Sequence, residues 1–198
     1  MVKTALGLAV TTLNVLYIVV DDLRTELGCY MNNTSANISP NIDEFAKSAT
    51  LFERAYCSQA VCSPSRNSFL TGRTPDQTRI WNFKGSFRDT EIEDGQPWYS
   101  LPQWFKRNGW VTAGMGKIFH PNSPPRDDPR SWTLPYFQPR GGRECVQRPP
   151  RFLNHSHNLS CVAADETATV DYLLVEHALS TMHNLSTMQA SVCVCVCL

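Results

Sequence analysis

At 198 residues the chain is long enough for one domain with a real hydrophobic core. Its 18 Lys and Arg are matched by 18 Asp and Glu, so net charge alone gives no sign of a binder of nucleic acid or of an acidic polymer. The apolar stretch from Ala5 to Val20 is interrupted by Thr11, Thr12 and Asn14 and falls short of the roughly 20 residues that a bilayer requires, so no membrane span is expected.

Residues 1–13 read as a weak signal peptide or a misassigned start: Lys3 precedes a short apolar run, but no clear small-residue cleavage site follows. The stretch NVLYIVVDD then predicts a strand. Val15 to Val20 are apolar without alternation and mostly β-branched or aromatic, the pattern of a strand buried on both faces. It ends in Asp21 and Asp22, and ligands of open α/β sheets gather at the carboxyl ends of strands. A solvated turn is the alternative for the two aspartates. SPNIDEFA enters a short helix through Ser39 and Pro40, with Ile42, Phe45 and Ala46 on one face.

AVCSPSRNSFLTGR follows. Ser63 is a candidate N-cap, Pro64 suits the first helical position, and Gly72 suits the terminator, which predicts a helix over 64–71. Cys62 is thereby expected just outside a helix N-terminus, where unpaired N–H groups and the positive dipole end favour an anion facing Cys62 and Arg66. A buried thiol, a disulfide with Cys57 and a metal ligand are the other readings of Cys62; the spacing Cys57-x4-Cys62 is neither that of a zinc pair nor that of a thioredoxin-type pair. Further on, SLPQWFKRNG predicts a helix stopped at Gly109, WVTAGMG a strand, and KIFHP a loop with Lys117 and His120. Helix, strand and polar loop in succession is an α/β rhythm.

Residues 121–150 are rich in Pro, Arg and Gly, yet carry Trp132, Tyr136 and Phe137, whose rings need burial, so an ordered surface excursion is expected. Cys145 and Cys161 bracket its later part, and in an oxidising compartment they are the first pairing to test among the alternatives that eight cysteines allow. DETATVDYLLVEHALSTM predicts an amphipathic helix with Val170, Leu173, Leu174 and Ala178 on one face and His177 at the surface. SVCVCVCL, residues 191–198, alternates like a strand but places its cysteines on one face with no structural role; a GT-repeat nucleotide sequence encodes such alternation, and the segment reads as an aberrant tail on a domain spanning 14–190. Six of the twelve asparagines, at 32, 33, 37, 154, 158 and 184, begin N-x-S/T sequons, which favours a glycosylated protein of the secretory route.

CSPSRNSFLTGR contains every fixed position of the sulfatase signature, and with NVLYIVVDDLRTELGCY, SPNIDEFA, LTGRTPDQTR and GKIFHP in the same order the chain resembles a type I sulfatase. The resemblance implies an alkaline-phosphatase-like α/β fold with a mostly parallel central sheet and flanking helices, of which this chain holds the amino-terminal part. It implies that Cys62 is oxidised by the formylglycine-generating enzyme and hydrates to a geminal diol. One hydroxyl then attacks sulfur and expels the sugar alcohol, and the other drives out sulfate. Asp21, Asp22 and residue 62 are implied as ligands of one calcium ion, Arg66 as the brace of the formylglycine, and Lys117 and His120 as contacts of the sulfate. The implied substrate is a sulfated glycosaminoglycan, through 2-sulfate esters of iduronate in heparan and dermatan sulfate, and the implied location is the lysosome, reached by the secretory pathway. The family completes its calcium site with a downstream DHG-type motif absent from these residues. A catalytically inactive fragment is therefore the competing expectation, and a phosphate-ester hydrolase of the same superfamily is disfavoured by Cys62.

Overall fold

The computed structural model describes residues 13–31, 39–89, 98–120, 127–139, 145–146, 162–163, 169–188 and 190–198. Three parallel strands form the central sheet: β1 (Val15–Val19), β2 (Val111–Gly116) and β5 (Val192–Cys197), in the order β1-β5-β2. Two short strands, β3 (Cys145–Val146) and β4 (Val162–Ala163), form a separate antiparallel pair. The helices are α1 (Pro40–Ala46), α2 (Cys62–Thr71), α3 (Pro75–Thr78), α4 (Leu101–Arg107) and α5 (Val170–Ser186). Parallel strands with flanking helices are the α/β architecture that the sequence predicts.

The Val/Cys segment, for which the sequence offered no structural role, forms the middle of the sheet. Val15 to Val19 pair in register with Cys193 to Cys197, and Val111 to Gly116 with Val192 to Cys197. Alternation along β5 sorts its side chains between the two faces. Cys193, Cys195 and Cys197 pack with Leu70 of α2, with Phe105 of α4 and with Phe87, Phe119 and Trp132. Val192, Val194 and Val196 pack with Ala113 and Met115 of β2 and with Leu174, Ala178 and Leu185 of α5. Helices thus cover both faces, and β5 is buried along its whole length.

Several expectations need correction. β1 is not buried on both faces: Val15, Tyr17 and Val19 are half-buried, whereas Leu16 and Ile18 are exposed, because β1 is an edge strand and α5 packs over β5 and β2. Helix α1 buries none of its residues, and Phe45 is 71% exposed. Helix α2 starts two residues earlier than predicted. Val61, in extended conformation, precedes the first turn, Cys62 is itself the first helical residue, and Ser63 is buried in that turn instead of capping it. The predicted end holds, with Gly72 in the left-handed conformation at φ 67° and donating back to Ser68 O. In α5 the buried residues are Leu174, Ala178 and Leu185, while Val170 and Leu173 face outward. His177 is half-buried beneath a parallel stack with Phe137, ring centroids 3.7 Å apart.

Of the sequons, Asn184 lies exposed in the last turns of α5; Asn32, Asn33, Asn37, Asn154 and Asn158 lie outside the described residues, as does Cys161 of the expected disulfide. Among the described residues no helix is long and apolar enough to cross a membrane.

Candidate active site

The carboxyl ends of all three sheet strands and the start of α2 converge on one place. β1 delivers Asp21 and Asp22, and β2 runs through Gly116 into Lys117 and His120. β5 ends at Cys197, whose carbonyl accepts from Lys117 N at 3.3 Å. α2 contributes Cys62 in its first turn and Arg66 one turn later. The chain leaves β1 through a tight turn. Asp21 N donates to Leu198 O at 2.9 Å, and Asp22 then adopts φ 54°, a left-handed conformation that aspartate tolerates better than most residues.

Asp21, Asp22 and Cys62 each offer one ligand atom, all within 4.8 Å of one another. Asp21 is held between two cations. Arg66 Nη2 donates to its Oδ1 at 2.5 Å and Lys117 Nζ to its Oδ2 at 2.5 Å. The Cys62 thiol sits 3.7 Å from Asp21 Oδ1 and 3.8 Å from Lys117 Nζ. Asp21, Asp22, Cys62, Arg66 and Gln59 line a cleft of about 460 Å³.

Arg66 is almost wholly buried, which fixes its guanidinium. Besides Asp21 it donates through Nη1 to the carbonyl of Lys117 and to Cys197 Sγ at 3.3 Å. Tyr136 holds the same turn from the other side, donating to Gly116 O at 2.5 Å and accepting from Ile118 N at 3.2 Å. These contacts set the backbone from which Lys117 and His120 project.

The electrostatics follow from this crowding. Burial pushes the Asp21 carboxyl upward, but the hydrogen bonds and charges of Lys117 and Arg66 outweigh it and hold the group below the usual carboxylate range. Burial lowers the His120 imidazole, and the positive charges of Lys117 and Arg66 lower it further against the opposing charge of Asp21. Its Nδ1 is buried with no hydrogen-bond partner.

The structure therefore brings Asp21, Asp22, Cys62, Arg66 and Lys117 into direct proximity, with His120 close enough to feel the charges of Lys117, Arg66 and Asp21. Sequence reasoning missed Cys197 and Tyr136. The period-two alternation of residues 192–197 was the available signal for Cys197; for Tyr136 the aromatic ring signalled burial, but nothing local tied its hydroxyl to the Gly116–Ile118 turn.

The chain matches the Sulfatase family model over residues 13–132. It is 48% identical over 134 residues to iduronate 2-sulfatase of Mus musculus, covering 66% of this chain and 23% of the relative. With iduronate 2-sulfatase of Homo sapiens it shares 48% identity over 130 residues, 64% of this chain and 22% of the relative. N-acetylgalactosamine-6-sulfatase of Sus scrofa is 34% identical over 128 residues, 59% of this chain and 24% of that protein. Among solved structures, Ps i-CgsB in complex with k-i-k-neocarrahexaose superposes with a TM-score of 0.64 at 25% identity, over 94% of this chain and 44% of that one. The phosphonate monoester hydrolase of Agrobacterium radiobacter shares the fold, with a TM-score of 0.61 at 19% identity over 93% of this chain and 40% of that one. The chain spans 22% to 23% of the length of the iduronate 2-sulfatases that it matches.

Proposed function

The chain belongs to the sulfatase family, and on that premise we propose that the site at Cys62 serves the hydrolysis of sulfate esters, with Cys62 as the precursor of a formylglycine. The observation that carries this reading is the placement of Asp21, Asp22 and Cys62 within 4.8 Å at the strand ends, with Lys117 and Arg66 both drawn onto Asp21. Two carboxylates are hard donors that suit calcium. The thiol of Cys62 does not suit it, but the oxygen that replaces the sulfur on conversion does. Asp21, Asp22 and residue 62 would hold the ion, which when bound polarises the sulfate oxygens.

The chain's own residues supply the rest. Arg66 is locked by burial and by contacts to three chain segments, so it braces the start of α2 without having to reorganise during turnover. Lys117 Nζ, one-third exposed and 3.8 Å from Cys62 Sγ, presents a positive charge where a sulfate attached to residue 62 would sit. His120, three residues beyond Lys117 and under the influence of the charges of Lys117, Arg66 and Asp21, is the second residue of the same loop offered to the sulfate.

The similarity to iduronate 2-sulfatases supports 2-sulfated iduronate of heparan and dermatan sulfate as the substrate and the lysosome, reached through the secretory pathway, as the place of action. The formylglycine-generating enzyme is the partner this requires. A second reading is a sulfatase segment that is inactive on its own. It is favoured by the donor set, since the three groups gathered among the described residues fall short of the about six to eight oxygens that calcium takes.

Co-expression with the formylglycine-generating enzyme, mass spectrometry of the peptide holding Cys62 and a fluorogenic iduronate-2-sulfate assay with added calcium test the proposal. An unmodified Cys62 would overturn it. Conversion at Cys62 without turnover in the 198-residue chain, with turnover in a version extended through a DHG-type motif, is the result expected of the second reading.

A further inference from the structure

Residues 81–84, Trp-Asn-Phe-Lys, form a short loop with all four residues exposed, Trp81 at 53% and Phe83 at 50%. Exposed aromatics are unremarkable on a slack loop, but this one is clamped at both ends. Ile80 on one side and Ser86 and Phe87 on the other are buried. Gly85, at φ 76°, makes the turn between them, and a side chain there would contact Ile80 Cδ1 at 3.4 Å. Phe87 N donates to Asn67 Oδ1 of α2 at 2.8 Å, and Arg88 forks onto Asp128 at 3.1 and 2.7 Å. Inside the loop, Lys84 N donates to Asn82 Oδ1 at 2.8 Å and the Trp81 indole N–H to Asp76 Oδ1 at 3.2 Å. Two large rings are therefore held out toward solvent on a fixed backbone.

Two contacts of this loop reach the site. The carbonyl of Trp81 accepts from Gln59 Nε2 at 3.0 Å, and Gln59 lines the cleft with Asp21, Asp22 and Cys62. The Phe83 ring lies against the His120 imidazole with centroids 4.8 Å apart. One side of Phe83 is thus used on a site residue while half of its surface remains open beside the site.

We propose that the loop Trp81–Lys84 is the saccharide-recognition element of this site, with Phe83 stacking on the sugar ring that bears the sulfate. The inference rests on the sulfatase reading and adds to it the residues that distinguish a sulfated sugar from free sulfate. An aromatic face packs against the C–H face of a pyranose, a contact that inorganic sulfate cannot make.

The test is calorimetric titration of the full chain with three probes: a 2-O-sulfated uronic-acid disaccharide, the same disaccharide without sulfate, and inorganic sulfate. Phe83→Ala is expected to weaken the sulfated disaccharide by about tenfold and leave inorganic sulfate unchanged, with Phe83→Tyr restoring affinity. Lys117→Ala is expected to weaken both sulfated probes. Exposure of Phe83 predicts that its variants melt as the parent does, which a thermal scan checks. If Phe83→Ala leaves disaccharide affinity intact while Lys117→Ala lowers it, the loop inference falls and the sulfatase reading stands. If Phe83→Ala weakens sulfate and disaccharide alike, Phe83 acts only by holding His120, and the inference falls as well. If none of the probes binds, or Lys117→Ala changes nothing, the reading of the site falls and takes the loop with it.

Discussion

Arg66 Nη1 and Cys197 Sγ meet at 3.3 Å across 131 residues of sequence, so the last turns of the sheet and the first turns of α2 are joined at the candidate site. β1 and β2 both pair with β5, and their order in the sheet puts β5 between them. Deleting residues 191–198 is therefore expected to separate β1 from β2, to uncover the apolar sides of α2 and α5, and to abolish cooperative thermal unfolding. Far-UV circular dichroism during a melt measures this; a deletion variant that melts as sharply and as high as the parent would contradict the central place of β5.

Arg66→Ala removes a buried cation whose partner Asp21 keeps Lys117, so the loss is smaller than for an isolated buried pair. A destabilisation of about 1–3 kcal/mol is expected, read from the urea midpoint. Arg66→Lys should recover little of it, because one ammonium cannot serve Asp21, the Lys117 carbonyl and Cys197 at once.

The Asp21 carboxyl has its folded pKa below the ordinary value of 3.8. Its ionised form is favoured by folding, so its contribution to stability is complete above that ordinary value and is lost as pH falls through the lower folded value. Urea midpoints measured downward from pH 5 should fall more steeply for the parent than for Asp21→Asn, which lacks the titrating group. Parallel slopes would show that Asp21 gains nothing from its two cations.

Two glycines make a controlled comparison. Gly116 and Gly109 both have positive φ, 79° and 84°, but a Cβ at Gly116 would lie 2.0 Å from the Cys197 carbonyl oxygen, whereas at Gly109 nothing lies within 4 Å. Gly109→Ala should cost only the backbone strain, about 1 kcal/mol, and Gly116→Ala about 2 kcal/mol or more, with displacement of β5. Chemical denaturation of both variants gives the difference directly.

The sequence by itself determined what is local. A run of β-branched residues ending in two aspartates, a Ser-Pro-Ser-Arg helix entry after Cys62, Gly72 as helix terminator and Lys117 after a strand are each readable within a dozen residues. Local propensity and the fixed spacing of the sulfatase signature act over that range. The tertiary structure decided what depends on distant partners. Val15–Val20 looked like a strand buried on both faces, but its neighbours leave it at an edge with Leu16 and Ile18 exposed. Residues 192–197 looked like an appendage, yet parallel pairing with strands about 80 and 178 residues earlier makes them the middle of the sheet. Parallel strands cannot be joined by a tight turn, so their neighbours are set by packing on both faces and are invisible to any short window of sequence. The same holds for Arg66. Its place in the signature was legible, but the three segments that fix its guanidinium come together only when helix α2 settles on the sheet.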